Sequence, residues 1–265
     1  MNAPVRPEPV QPVPPVPVRW ALLHQHWADV VFLHWKVDPD VVAPLLPPGT
    51  TPDLHDGGTW VGLIHFRMRR LGFGPLPGIP WLGSFAETNI RLYSVDAEGR
   101  RGVVFRSLDA DRFLPVLAAR GVAALPYNWA PSRVDGRVAE GEEIEYRTVR
   151  RFPGPRGAFS RTRVRTGAAI AEPDPLSHFL TARWALHTRR PLGTVRWPND
   201  HPRWDLHAAE LLDLEQDVAA AAGVPGIDGP PDSVLSSPGL PVRFGPWHRL
   251  RGQRRGRNPS ETIST

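Results

Sequence analysis

Between residues 29 and 166 the chain is a succession of short β-type segments, and no other feature restricts its fold as much. DVVFLHWKV (29–37), TWVGLIHFRM (59–68), residues 86–95, GVVFRSLD (102–109), 126–134, 142–151 and 159–166 are rich in β-branched and aromatic residues, with Gly, Pro and Asp punctuating the gaps. So many short strands in one run predict a sandwich or a barrel. Helices are fewer. Asp38 with Pro39 opens one toward Leu46, Asp111 opens one through Ala119, Asp174 with Pro175 opens a third, and a fourth is expected at 213–222, ending at Gly223.

The two ends read differently from this middle. Seven prolines fall within the first 17 residues, which favours an extended arm unable to build helix or central strand, so residues 1–19 are expected to be a disordered tail. Residues 252–265 mix arginine with small polar residues without periodicity and are expected to be a disordered basic tail. One domain is expected over residues 20–251. No run of about 18 apolar residues is present, which excludes a membrane-spanning helix, and a cytoplasmic location is the expectation.

The net charge of +5 would bring nucleic acid to mind, but Lys36 is the only lysine among 32 basic residues and the arginines are interspersed with 27 acidic residues. That distribution weighs against nucleic acid as a partner. Arg161, Arg163 and Arg165, interleaved with Ser160 and Thr162, read as a solvated strand face. The absence of cysteine removes disulfides and thiolate chemistry. His24, His26 and His34 offer only weak metal-ligand spacing, so no metal is expected, and no phosphate loop or nucleophile elbow implies a cofactor.

FAETNIRLYSVD (85–96) carries the candidate chemistry. With a two-residue period, Ala86, Thr88, Ile90 and Leu92 share one face and Glu87, Asn89, Arg91 and Tyr93 the other. Neighbours on the polar face are about 6.6–6.8 Å apart, within reach of one small molecule. Asparagine is a poor strand former and is easier to accommodate where its amide meets a specific partner. Alternation alone leaves open whether that face looks at water or into a pocket.

LHWKVDPDVVAPLLPPGTTPD, DGGTWVGLIHFRM, FAETNIRLYSVD, GVVFRSLDADRFLPVLAARGVAALPYNWA, EYRTVRR, DPLSHFLTARWAL and HPRWDLHAAELLDLEQDVAAAAGVP, in that order, resemble the DUF2071 (YqjF-like) family over about residues 20–247. The resemblance implies an α+β fold of the acetoacetate decarboxylase-like class, an antiparallel β-barrel or cone with a few flanking helices and a ligand cavity inside. It also implies that the strand of Glu87 lines the cavity. In that superfamily a lysine in a Pro-Lys-Lys stretch forms a Schiff base. The similar stretch here is AARGVAALPYNWA, in which Arg120 and Pro126 match but Tyr127 and Asn128 stand at the lysine positions. Imine chemistry is thereby excluded at that point. FLTARW departs as well, with Ala182 and Trp184 where an acidic residue and tyrosine are usual.

Two functions follow as expectations. One is a lyase or isomerase acting on a keto acid or related carbonyl compound without cofactor, with Glu87 and Tyr127 catalytic and Asn89, Arg91, Tyr93 and Arg120 binding ligand. The other is a non-catalytic ligand-binding protein of the same fold. A small-molecule partner is common to both, and a homo-oligomer is left open.

Overall fold

Neither face of the 85–96 strand meets water. The computed structural model describes residues 5–112 and 124–250, and in it every residue of Phe85–Asp96 is buried. In chain order the strands are β1 (Leu23–Val37), β2 (Thr50–Pro52), β3 (Thr59–Phe73), β4 (Phe85–Asp96), β5 (Arg101–Ala110), β6 (Tyr127–Trp129) and β7 (Ser132–Gly136). There follow β8 (Glu143–Val149), β9 (Phe159–Ala169), β10 (Ala185–Arg190), β11 (Gly193–Asp200), β12 (His207–Gln216), β13 (Ser233–Phe244) and β14 (His248–Arg249). The α-helices among the described residues are short: α1 (Pro39–Val42), α2 (Pro175–Thr181) and α3 (Val218–Ala221).

β1 and β4 are buried on both sides because a hydrophobic core packs against each face of the sheet. Val31, Leu33, Leu63, Ile90 and Leu92 pack with Ile144, Tyr146 and Val164 on one side. Phe32, Ile64, Phe66 and Tyr93 pack with Phe179, Leu180 and Trp204 on the other. The second side is the inside of a ring. Strands β11, β10, β5, β4, β3, β1 and β13 are hydrogen-bonded in that order, and β11 returns to β13 through Asn199↔Phe244 and Asp200↔Arg243. From β13 the sheet continues through β12, β9, β8 and β7 to build the outer core. The ring closed by only two residue pairs is the cone-like sheet of the acetoacetate decarboxylase-like class. Its antiparallel character fails at two places, since β10 and β6 each run parallel to β5.

Helix α2 places the ring's inner end. Asp174 accepts a 2.6 Å bond from Ser177 N and Pro175 occupies the first turn, so the helix starts where the sequence signals it. It ends after two turns with Phe179, Leu180 and Thr181 buried in the ring.

Several expectations change. Residues 213–222 are not one helix: Asp213–Gln216 finish β12, which pairs with β9, and only Val218–Ala221 are helical. The expected strand at 126–134 is broken into β6 and β7 at Ala130–Pro131. The described part of the proline-rich arm, residues 5–19, forms no helix or strand, yet residues 8–18 lie against the sheet instead of leaving it. Glu8 N donates to Gly99 O at 2.8 Å, the Glu8 carboxylate accepts from Arg101 N at 2.9 Å, and Val18 N donates to Asp200 Oδ2 at 2.7 Å. Val18 is buried, and Trp184 Nε1 donates to Gln11 O. Extended proline-rich chain keeps its carbonyls free to accept such bonds. The expected helix from Asp111 through Ala119, Arg120 and the 252–265 tail lie outside the described residues, apart from Asp111 and Arg112.

The arginines of β9 are paired across the sheet. Arg161 meets Glu145 and Asp213, and Arg165 meets Glu143 and Glu210, with N–O distances from 2.8 to 3.3 Å. No helix among the described residues is long and apolar enough to cross a membrane.

Candidate functional site

The register of three strands brings Glu87 and Tyr127 together. Glu87 lies between Phe66 of β3 and Ala110 of β5, while Tyr127 pairs with Leu108, which itself pairs with Asn89. Glu87, Asn89 and Tyr127 therefore project from neighbouring strands to the same inner face. Tyr127 donates to Glu87 Oε2 at 2.9 Å, and Asn89 Nδ2 donates a longer 3.3 Å bond to Oε1. Burial pushes the Glu87 carboxyl up to about 7, with the Tyr127 and Asn89 bonds pulling the other way and the charge of Asp109 adding to the rise. Burial and the facing carboxylate push the Tyr127 phenol well above its ordinary value. Glu87 can thus hold or release a proton near neutrality while Tyr127 stays a hydrogen-bond donor. Asn89 Oδ1 is buried without a partner.

The one-residue alternation also separates the two positions where the resemblance would put lysines. Tyr127 faces inward. Asn128 pairs with Asp109 on the opposite face, where Asn128 Nδ2 donates to Asp109 Oδ1 at 2.7 Å and Arg150 binds both Asp109 oxygens. Lys36 is exposed, its Nζ donating to Asp56 O at 2.9 Å. It pairs with Trp60, six positions along β3 from the Phe66 that faces Glu87, or about 20 Å of strand.

Arg91 and Tyr93 make no hydrogen bond to Glu87. Four residues of strand separate Arg91 from Glu87, about 13 Å between Cα atoms, and the Arg91 side chain turns toward α2. Its Nε donates to Tyr93 Oη at 3.1 Å and its Nη2 to Leu180 O at 2.9 Å. Tyr93 also donates to Leu180 O, and His34 Nε2 lies 2.7 Å from the same phenol. With the Tyr93 proton on Leu180 O, His34 donates from Nε2 and its Nδ1 stays bare and buried. Burial, then the charges of Arg91 and Arg183, hold His34 well below the ordinary imidazole value. Gly62 lies between them in the register, and a Cβ there would stand 3.1 Å from His34 Cδ2 and 3.2 Å from Arg91 Cγ.

Sequence reasoning missed Arg183 as a site residue. Buried in the ring, it donates from Nε to Phe179 O at 2.7 Å and from Nη1 to Asp53 Oδ2 at 2.5 Å. Its guanidinium lies 4.6 Å from the Tyr93 ring centroid and 4.2 Å from that of Phe179. Asp53 is shared with Arg101, and Arg101 Nε donates to the Glu8 carbonyl of the arm. Arg91 and Arg183 satisfy carbonyls in the last turn of α2 that have no intrahelical donors. They also line a cavity of about 20 Å³ together with Asn199, His201, Trp27 and Trp204, which has room for one water. Glu87 is not part of its wall. Burial lowers His201 to about 4.

Two of the histidines considered for metal binding are hydrogen-bonded elsewhere, His24 Nε2 with Leu76 O and His34 Nε2 with Tyr93 Oη. Among the described residues no group of three His, Asp or Glu is arranged to hold a metal ion.

A model of the DUF2071 family, described as an uncharacterized conserved protein, matches residues 24–241. The chain is 32% identical over 203 residues to the uncharacterized protein YqjF of Bacillus subtilis (strain 168), covering 77% of this chain and 82% of YqjF. Among solved structures it resembles an acetoacetate decarboxylase-like enzyme from Sphingomonas wittichii RW1, with a TM-score of 0.61 and 15% identity over 87% of this chain and 93% of that one. It also resembles the enduracididine biosynthesis enzyme MppR complexed with pyruvate, with a TM-score of 0.56 and 17% identity over 86% of this chain and 88% of that one.

Proposed function

The chain belongs to the DUF2071 family, and from that premise we propose that it takes a keto acid or related carbonyl compound into its ring and moves a proton on it with Glu87 and Tyr127. The observation that carries this reading is the buried Glu87 carboxyl, poised near 7 and hydrogen-bonded by a phenol on the inner face. The ionised carboxylate would take a proton from the carbon next to the carbonyl. The electron pair moves onto the carbonyl oxygen, to which Tyr127 donates, and the enolate is then reprotonated or expels a leaving group. That is lyase or isomerase chemistry. It needs no Schiff base, in keeping with Tyr127 and Asn128 at the lysine positions and with Lys36 at the exposed end of β1. Asn89, Arg91, Tyr93 and Arg120 are proposed to bind ligand. MppR, which shares the fold, is complexed with pyruvate, and this supports a keto acid as the class to try first.

One observation favours a second reading, a binding protein without turnover: the cavity at Arg91 has the volume of one water, so entry of a whole keto acid requires lining side chains to move. Native mass spectrometry after incubation with a panel of β-keto acids separates the two. Acids that bind and return altered, with Glu87→Gln stopping the change, support the catalytic reading. Acids that bind and return unaltered contradict it in favour of the binder.

A further inference from the structure

Arg101 and Arg183 share the single carboxylate of Asp53, and Arg91 meets Arg183 at the cavity beside Tyr93. Among the described residues Asp53 is the only carboxylate within ion-pair distance of Arg101 or Arg183, and Arg91 has none. Arg91 is 4% exposed and meets only neutral acceptors, the Tyr93 phenol and the Leu180 carbonyl. Arg183 is also 4% exposed, and its Nη2 is buried with no partner. Asn199 Oδ1, in the same cavity wall, is likewise buried and unpartnered. A buried cation without a counter-ion is costly, and Arg91 and Arg183 both line the cavity.

We infer that Arg183, with Arg91, is the seat for the carboxylate of an anionic ligand. Capping the α2 carbonyls explains part of both side chains: Nε of Arg183 and Nη2 of Arg91 are used for it. It leaves Nη2 of Arg183 unexplained, and that is the atom an incoming carboxylate would accept from. Guanidiniums suit such a group because their donors match the spacing of carboxylate oxygens. The 20 Å³ cavity has room for one water, so seating a carboxylate against Arg183 requires its lining side chains to move outward. Asp53 holds Arg183 in place from the far side, and Phe179 and Tyr93 sandwich its plane. Arg183 is therefore pre-organised, and less conformational entropy is lost when the ligand binds. The inference rests on the carbonyl-acid reading above and narrows it: the ligand must carry a carboxylate, and its uncharged counterparts are excluded.

The test is calorimetric titration of the full chain with pyruvate and with its uncharged amide, pyruvamide, at constant ionic strength. Wild-type protein is expected to prefer pyruvate by about ten- to a hundredfold, the range of one or two charge-assisted hydrogen bonds. Arg183→Met is expected to lose that preference and Arg183→Lys to keep part of it. Calorimetry reads binding whether or not the ligand is turned over, which separates this inference from the catalytic one. Equal affinity for acid and amide, no binding of either, or an Arg183→Met variant that still prefers pyruvate would overturn it. Should Arg183→Met fail to fold, the wild-type comparison of acid with amide decides.

Discussion

Tyr127 of β6 donates a 2.9 Å hydrogen bond to Glu87 of β4 across β5, the strand that pairs with both. Glu87 is buried and Tyr127 half-buried, so the proton on Glu87 is linked to folding. The native carboxyl holds its proton up to about 7, whereas the ordinary value is 4.5. Between those values the native state binds more protons than the unfolded one, and stability falls as pH rises from 4.5 to 7. The loss is on the order of 3 kcal/mol at most. Glu87→Gln removes it: the stability difference between wild type and variant, measured by urea unfolding, should shift against wild type across this window and stay flat above it. A difference independent of pH would mean that Glu87 is ionised throughout.

The same bond pulls the Glu87 carboxyl downward, so Tyr127→Phe should raise it further above about 7. Infrared difference spectroscopy reads the protonated carboxyl band directly. In wild type the band should titrate near neutrality, and in Tyr127→Phe it should persist to higher pH. An unmoved titration would show that the phenol does not act on Glu87.

Gly62 lets His34 and Arg91 approach across β3. A methyl there would press on both, and neither neighbour is free to retreat, since His34 is held by Tyr93 and Arg91 by Leu180. Gly62→Ala should destabilise the protein by about 1–3 kcal/mol in denaturant unfolding. An unchanged midpoint would show that this wall is soft.

On the outer face of β3, His65 is fully buried between Thr88 and Thr162, with both ring nitrogens 2.9 Å from the threonine hydroxyls. Burial drops it from 6.5 to about 3. The unfolded state therefore binds more protons in between, and the stability present above 6.5 is lost as pH falls toward 3, at about 1.4 kcal/mol per pH unit. His65→Gln should lack this part of the acid sensitivity. Equal acid-unfolding profiles would contradict the neutral assignment.

β4 was legible because Ile90 and Leu92 alternate strictly with Asn89, Arg91 and Tyr93, and α2 because Asp174 and Pro175 mark its start. What β4's polar face looks at was not legible. An inward polar face and a solvated one have the same pattern, and only the second core over Ile90 and Leu92 decides between them. Asp53, Arg183 and the neighbouring Asn199 and His201 come from three separate segments, so no short spacing along the chain connects all of them. β12 was misread because alanine, leucine and glutamate favour helix and its bulge between Leu211 and Asp213 interrupts the alternation. Pairing of its acidic residues with Arg161 and Arg165 overrides that propensity. The arm's prolines correctly forbade helix and strand, but nothing in them announced that Val18 would be buried.

The central claim is that Glu87 moves a proton on a carbonyl compound without an imine. Proton magnetic resonance in heavy water, following exchange of the pyruvate methyl hydrogens for deuterium, tests it most directly when wild type, Glu87→Gln and a borohydride-treated sample are compared. The account predicts exchange by wild type, a loss of about 10²–10⁴-fold in Glu87→Gln, and no borohydride-trapped adduct. Exchange at an equal rate in Glu87→Gln, or a reduced adduct on Lys36, would contradict it.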